Sequence, residues 1–297
     1  MTVQLGSVGL WTAALDGVPA GHVVDVVAEL DEQGWGSLWF GEAWGREAFT
    51  AAQLYLGAST RIVVGTGIAN IYGRDPVAAT AAARTLHARH PDRFVIGLGV
   101  SHAPLVERLR GHAYGKPVTA LREYLDAMDR APALVAGEKE LPPRVLAALG
   151  PRMLALARDR TEGAHPYLVS PEHTANARQI LGGDALLIVE QAAIVDPAAD
   201  RDGSIWQVRA HAHLNLYTGL ANYRASWRRQ GFVDEDFVRG GSLRLAQAMV
   251  PRGVEATRMR VKEHLDAGAT SVVVQVLGPD LFTPPRADWA MLAAALL

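Results

Sequence analysis

The sequence predicts a (β/α)8 TIM barrel, an α/β fold in a single domain over residues 1–297, on three observations. Short apolar, β-branched runs alternate with longer stretches whose apolar residues recur at helical spacing, a rhythm that implies parallel strands joined by helical crossovers. Eight such strand–helix units can be counted along the 297 residues, the number and length that close one barrel rather than two doubly wound domains. No linker-like stretch interrupts them.

The elements follow in order. Val3–Leu10 reads as the first strand, and His22–Gln33 as a helix that stops at Gly34. Ser37–Phe40 is the second strand, Phe49–Gly57 a helix, and Arg61–Ile68 a buried strand containing Gly65-Thr66-Gly67. Asp75 is placed to cap a helix whose first position is Pro76, with Val77–His90 as its body. Arg93–Gly99 is the fourth strand, Val118–Arg130 a helix, and Arg144–Leu149 a weak fifth strand. Met153–Arg160 is helical, Gly163–Val169 extended, and Pro171–Leu181 a helix capped by Ser170. Ala185–Val195 reads as a long apolar strand, and Asp200–Gln230 as helix with a break near Gly219. Glu255–Ala267 closes on Gly268, and Ser271–Leu277 is the last, β-branched strand.

Composition narrows the function classes. Half the residues are apolar (49%) and the formal net charge is −2, which predicts a core-rich globular chain without a nucleic-acid partner, since phosphate binding needs a basic surface. No uncharged run approaches membrane-spanning length, and Met1 to Leu15 carries no Lys or Arg, so neither a membrane span nor a signal peptide is expected and the location reads as cytoplasmic. Without cysteine there is no disulfide, no thiolate nucleophile and no Cys-based metal site. No HExxH pattern is present, and no metal is expected.

In a barrel of this kind the chemistry belongs just after the strand ends. Those ends here are Leu10-Trp11, Gly41-Glu42-Ala43-Trp44, Gly67-Ile68-Ala69-Asn70, Gly99-Val100-Ser101-His102, Leu149-Gly150 and His165-Pro166-Tyr167. The recurrent glycines let a backbone approach a phosphate or flat ring, or simply let barrel strands pack. No GxGxxG or GxxxxGK[ST] pattern supports a Rossmann or P-loop reading. His102 and His165 stand where an acid/base residue belongs. The histidines at 22, 87, 90, 173, 211 and 213 read as surface or core-satisfied groups. Glu42 is either a buried carboxylate at the mouth or the structural partner of a later basic residue. Trp44 lies beyond its strand, as a core group or as the wall of a pocket for a flat cofactor.

The runs 36–49, Gly65-Thr66-Gly67-Ile68-Ala69-Asn70 with Arg74-Asp75-Pro76, and Arg93 to His102 resemble the bacterial luciferase-like superfamily, and within it the actinobacterial oxidoreductases that use the deazaflavin coenzyme F420. The segments Ala147–Pro151, Gly163–Pro166 and His264–Ala269 are in register with the same group, so the resemblance covers nearly the whole chain. It implies a homodimer, with a flavin or deazaflavin held at the strand C-termini and a small organic molecule as substrate. It also implies a non-proline cis peptide at Gly67–Ile68 or its neighbour, and contacts to the cofactor from Gly99, Val100, Ser101, Leu149, Gly150 and the His165-Pro166-Tyr167 turn. Together with Trp44, Gly67, Ile68, Ala69 and Asn70 these form the expected cofactor site. Sugar-phosphate dehydrogenases of the family carry a histidine where this chain has Ala43 and a glutamate where it has His102. The resemblance therefore shifts acid/base duty to His102, with Glu42 assisting. Two further readings share the scaffold: an FMN-dependent monooxygenase, and a non-catalytic cofactor-binding member.

Overall fold

The computed structural model describes residues 3–297; Met1 and Thr2, the start of the single domain expected over 1–297, lie outside the described residues. Nine strands, all parallel, run β1 (Val8–Trp11), β2 (Ser37–Phe40), β3 (Val63–Thr66), β4 (Ala69–Asn70), β5 (Phe94–Gly99), β6 (Arg144–Leu146), β7 (Gly163–Ala164), β8 (Leu186–Ala193) and β9 (Ser271–Val276). Their order is β3-β2-β1-β9-β8-β7-β6-β5-β4, and β3 also pairs with β5. The sheet is thus closed on itself, and β3 and β4 are two halves of one barrel strand, giving the eight-stranded TIM barrel. Between the halves lies a cis peptide bond, Gly67–Ile68.

Helices α1 (Ala20–Gln33), α2 (Ala48–Gly57), α3 (Pro76–Arg89), α4 (Pro117–Asp129), α5 (Pro151–Arg160) and α6 (Pro171–Leu181) return the chain between successive strands. Their ends follow local chemistry. Gly34 ends α1 in the left-handed region at φ 90°, where a side chain would be disfavoured. Asp75 accepts the N–H groups of Val77 and Ala78, both at 2.9 Å, ahead of Pro76. Ser170 caps α6 ahead of Pro171 in the same way. After β8 the chain makes an excursion through α7 (Pro197–Arg201), α8 (Gly203–Asn215), α9 (Ala221–Arg229) and α10 (Leu243–Met249) before α11 (Val254–Asp266) and β9; α12 (Arg286–Leu296) ends it.

Several boundaries differ from expectation. The first strand begins at Val8, because Gly6 turns the chain at φ 70°, and Val3 and Leu5 pack into the barrel interior instead. The extended run at Gly163–Val169 keeps only two ladder residues before Leu168, at φ 52°, bends it away. Helix over 200–230 breaks near Gly219 as expected, and again at Asp202, whose carboxylate accepts from Ser204 N (2.9 Å) and Oγ (2.7 Å) to start α8.

Apolar residues gather in three places. Between barrel and helices lies the main core. Inside the barrel, Trp11, Trp39, Val63, Val95, Val145, Ile188 and Val273 fill the lumen. A third cluster, around Trp206, Trp227, Phe237 and Leu245, ties the excursion to Leu168, Ala192 and Ile194 at the barrel's C-terminal end. The excursion therefore roofs part of the face where the strands end. Among the described residues no helix is long and apolar enough to cross a membrane.

Candidate active site

Glu42 follows β2 and is buried, and its carboxylate is a hub. Its oxygens accept the N–H groups of Ala48 (3.2 Å) and Asn70 (2.8 Å), and it pairs with the guanidinium of Arg74, which also meets Glu47 at 2.9 Å. This arrangement positions the start of α2, β4 and the loop before α3 relative to one another. Of the two readings open in the sequence, the partner of a later basic residue is the one the geometry displays. Trp44, two residues on, is 58% exposed at the rim.

Ala69 and Asn70 form β4, directly after the Gly67–Ile68 bond. The Gly67 carbonyl accepts from Trp11 Nε1 at 3.3 Å. A Cβ on Gly67 would come within 2.5 Å of Trp11 Nε1 and 2.7 Å of His165 Nε2; one on Gly99 would meet Ile68 Cγ1 at 2.6 Å. These glycines are required by close packing across the lumen. Asn70 is buried; its Oδ1 accepts from Tyr72 N (3.0 Å), while its Nδ2 has no partner among the described residues.

After β5, Ser101 adopts φ 55° and its carbonyl accepts from Tyr114 Oη (3.2 Å), and the His102 carbonyl starts a π-helical turn over Leu105–Leu109. The His102 imidazole lies 5.8 Å from the Tyr223 ring, centroid to centroid. Among the described residues neither of its nitrogens has a hydrogen-bond partner. Burial lowers its pKa below the ordinary histidine value, so it is neutral at pH 7. A neutral, unpartnered imidazole at the mouth of the barrel can take up a proton or, once charged, return one.

His165 is different. It lies inside the barrel, its ring 4.9 Å from Trp39, its Nδ1 2.8 Å from the Ile188 carbonyl. That carbonyl can only accept, so the proton sits on Nδ1 and Nε2 carries a lone pair with no partner among the described residues. Desolvation holds its pKa down at about 4. Pro166 is buried, and Tyr167 is half-buried, donating to Gln275 Oε1 at 2.5 Å and accepting from Tyr217 Oη at 3.1 Å.

Leu149 and Gly150 lie at the far side. Gly150 starts α5 without a side-chain cap, Pro151 follows, and the first turn holds no acidic residue. Arg229 Nη2 donates to the Leu149 carbonyl at 2.9 Å and lies 3.6 Å from where a Gly150 Cβ would stand. Among the described residues Arg229 has no carboxylate partner. A bare helix N-terminus beside an unpaired guanidinium favours an anion.

The structure thus brings Gly67, Ile68, Ala69, Asn70, Gly99, Val100, Ser101, His102, Leu149, Gly150 and Tyr167 to one end of the barrel, with Glu42 braced behind β4, His165 deeper and Trp44 at the rim. Sequence reasoning missed Arg229, Glu190, His213, Tyr217, Tyr223 and Gln275. Glu190 had a visible signal, a glutamate midway along a strand otherwise read as apolar. The expectation of surface or core-satisfied histidines fails at His213, where both ring nitrogens are buried without partners among the described residues, at His90 and His173, where Nε2 is, and at His87, where Nδ1 is. The reason is burial by distant segments rather than by local sequence.

A closed parallel barrel with a polar mouth at its strand C-termini defines a class of small-molecule enzymes. The model of the luciferase-like monooxygenase family matches residues 5–239, and the chain belongs to that family. Over 200 residues it is 28% identical to "Putative coenzyme F420-dependent oxidoreductase Rv3520c" of Mycobacterium tuberculosis, spanning 57% of this chain and 56% of that protein. Among solved structures, an F420-dependent secondary alcohol dehydrogenase in complex with an F420-acetone adduct superposes with TM-score 0.75 at 14% identity, over 99% of this chain and 98% of that one. The oxygenating constituent of 3,6-diketocamphane monooxygenase from Pseudomonas putida, in complex with FMN, superposes with TM-score 0.71 at 12% identity, over 98% and 97%. At such identities the two superpositions share the fold alone.

Proposed function

We propose that the chain is an F420-dependent oxidoreductase that exchanges a hydride between the deazaflavin and a small organic substrate, with His102 as its acid/base group. The observation that carries this reading is the neutral, unpartnered His102 imidazole at the strand ends. The likeness to the mycobacterial protein, named for F420, supports the choice of cofactor.

The residues present fit such a group. Asn70 Nδ2 is a buried donor without a partner, and the uncapped start of α5 with Arg229 suits a phosphate. When bound, a deazaflavin supplies a carbon-centred hydride donor or acceptor that activates oxygen poorly. Gly150 and Arg229 would hold its anionic tail, Asn70 would donate to the polar edge of the ring system, and Ile68 and Val100 would offer apolar surface. His102 takes the proton of an alcohol being oxidised, or delivers one to the substrate being reduced. Glu42 keeps β4 in place through the Asn70 N–H and Arg74.

Titration of the purified protein with oxidised F420 and with FMN, followed by tryptophan quenching, tests the assignment. Micromolar or tighter F420 binding, with FMN at least about tenfold weaker, is the expected result. The reverse preference makes this a flavin enzyme and overturns the proposal, as does failure to bind either.

A further inference from the structure

Below the mouth lies a group of buried polar atoms that the roles above leave unused. Glu190 points from β8 into the barrel with no exposed surface; its Oε2 accepts the Leu168 N–H at 2.9 Å, while its Oε1 has no partner among the described residues. His213, on α8, is buried with neither ring nitrogen partnered. Its ring lies 5.3 Å from Tyr217 and 6.3 Å from Tyr167. The phenols form a chain: Tyr217 Oη donates to Tyr167 Oη, which donates to Gln275. The Tyr223 ring packs at a tilt against Tyr217, 4.8 Å between centroids, and lies 5.8 Å from His102, and its hydroxyl has no partner among the described residues. Burial pushes the phenols of Tyr167, Tyr217 and Tyr223 up, and Glu190 lies near enough to raise all three further when it is charged. Together these side chains form one polar, aromatic cluster running from His102 down to Glu190, termed the chamber below. Buried polar atoms in native proteins nearly all find partners, so three orphans lining one chamber point to a ligand that completes them.

We infer that this chamber seats the polar end of the substrate, and that the substrate is a neutral molecule held through a carbonyl or hydroxyl oxygen by a hydrogen bond from Glu190. Calling that molecule the substrate rests on the oxidoreductase reading above. The backbone N–H of Leu168 holds Oε2 as an acceptor, which leaves the proton of a neutral carboxyl on Oε1, the oxygen without a partner. Burial raises the Glu190 pKa to about 8, so that proton is present at neutral pH. No Lys or Arg belongs to the chamber's polar group of Glu190, His213, Tyr167, Tyr217, Tyr223 and Gln275. An anionic substrate would bury its charge there without a counter-ion, beside an acidic group. Sugar phosphates and carboxylates are therefore poor occupants, and ketones, enones and secondary alcohols are good ones. A donor on the oxygen of a C=O also favours hydride arrival at its carbon, because negative charge develops on that oxygen.

The test measures binding of cyclohexanone, with cyclohexanecarboxylate as the charged counterpart, by tryptophan fluorescence. Trp11 lies 5.4 Å from Tyr167 and Trp227 5.6 Å from Tyr223, so both report on the chamber. Of the groups facing Glu190, Tyr167, Tyr217 and Tyr223 are raised above 10, while His213, at about 4, and His102 lie below 6.5. Glu190 alone loses its proton near pH 8. Ketone affinity is expected to weaken about tenfold between about pH 7 and about pH 9.5 in the wild type. It stays level in Glu190→Gln, whose amide N–H still donates, and is weak throughout in Glu190→Leu. The carboxylate binds poorly at every pH. A flat wild-type profile, the same pH dependence in Glu190→Gln, or equal binding of ketone and carboxylate overturns the inference; a chamber filled only by water gives the first. If Glu190→Leu fails to fold, the comparison of wild type with Glu190→Gln decides. F420 and FMN titrations on the same samples separate the two readings. Cofactor binding with a flat ketone profile removes the chamber and keeps the oxidoreductase, whereas the converse removes the cofactor assignment alone.

Discussion

At the scale of single residues, the candidate site divides its titratable groups by whether their hydrogen-bonding capacity is already committed. Glu42 has both oxygens engaged, by two backbone N–H groups and Arg74, so it braces the site. His102 has neither nitrogen engaged, and burial keeps it neutral, so it remains free to exchange a proton. The two residues look alike in sequence, Glu42 two and His102 three residues past a strand, and only their surroundings assign the roles. Removing the imidazole should therefore cost rate and little else: His102→Ala is expected to lower turnover about 10²–10⁴-fold, the usual worth of a positioned acid/base group. Steady-state rates alongside cofactor titration check this. Turnover equal to wild type would remove His102 from the chemistry, and a matching loss of cofactor affinity would show that it serves in binding.

At the scale of elements, legibility depended on whether a boundary is written locally. Gly34, Asp75-Pro76 and Ser170-Pro171 each carry their own stop or start, and the helices end or begin there. The ladder ends of β6 and β7 are set by barrel closure between residues far apart in sequence, and both strands stop short of the expected Leu149 and Val169. Another non-local device joins α1 to β3. Asp31, at the end of α1, accepts from Thr60 N (2.9 Å), Thr60 Oγ1 (2.8 Å), Arg61 N (3.0 Å) and Ile62 N (2.9 Å). Burial alone would raise its pKa, but the four donors outweigh it and hold the carboxyl below 3.8. A depressed carboxylate contributes its full stability above the unfolded value and loses it as pH falls through the folded one. Asp31→Asn is expected to cost about 1–3 kcal/mol at neutral pH, with the penalty shrinking as pH falls below about 4, where the unfolded chain takes up a proton that the folded carboxylate accepts only at lower pH. Urea unfolding at pH 7 and pH 3 measures both. A penalty equal at the two values would mean that the charge contributes nothing to the joint.

At the scale of the whole molecule, the barrel and its mouth were legible because alternation and strand-end position are properties of the sequence, whereas the chamber was not. Glu190 and Tyr167 meet Tyr217 and Tyr223 only because the excursion after β8 folds back over the strand ends. Folding also buries histidines from several elements. Desolvation lowers His165, His173 and His213 to about 4 and His264 to about 3, while an unfolded chain protonates them near 6.5. Below that pH the unfolded state binds four protons that the folded state refuses, so stability falls as pH drops from about 6.5 toward 4. Glu190 opposes this. At about 8 it keeps a proton in the folded state that the unfolded chain releases above its ordinary value of 4.5, so it favours folding as pH falls through the same window. The net is about three protons, or roughly 4 kcal/mol of stability lost per pH unit between about pH 6 and about pH 5. Free energies from urea unfolding across that range test the slope. His213→Phe, which removes two unpartnered nitrogens, should flatten it by about one proton, and Glu190→Gln should steepen it by about one. A slope near zero, or one unmoved by both substitutions, would mean that these groups are hydrated in the folded protein and that the interior is wetter than its packing implies.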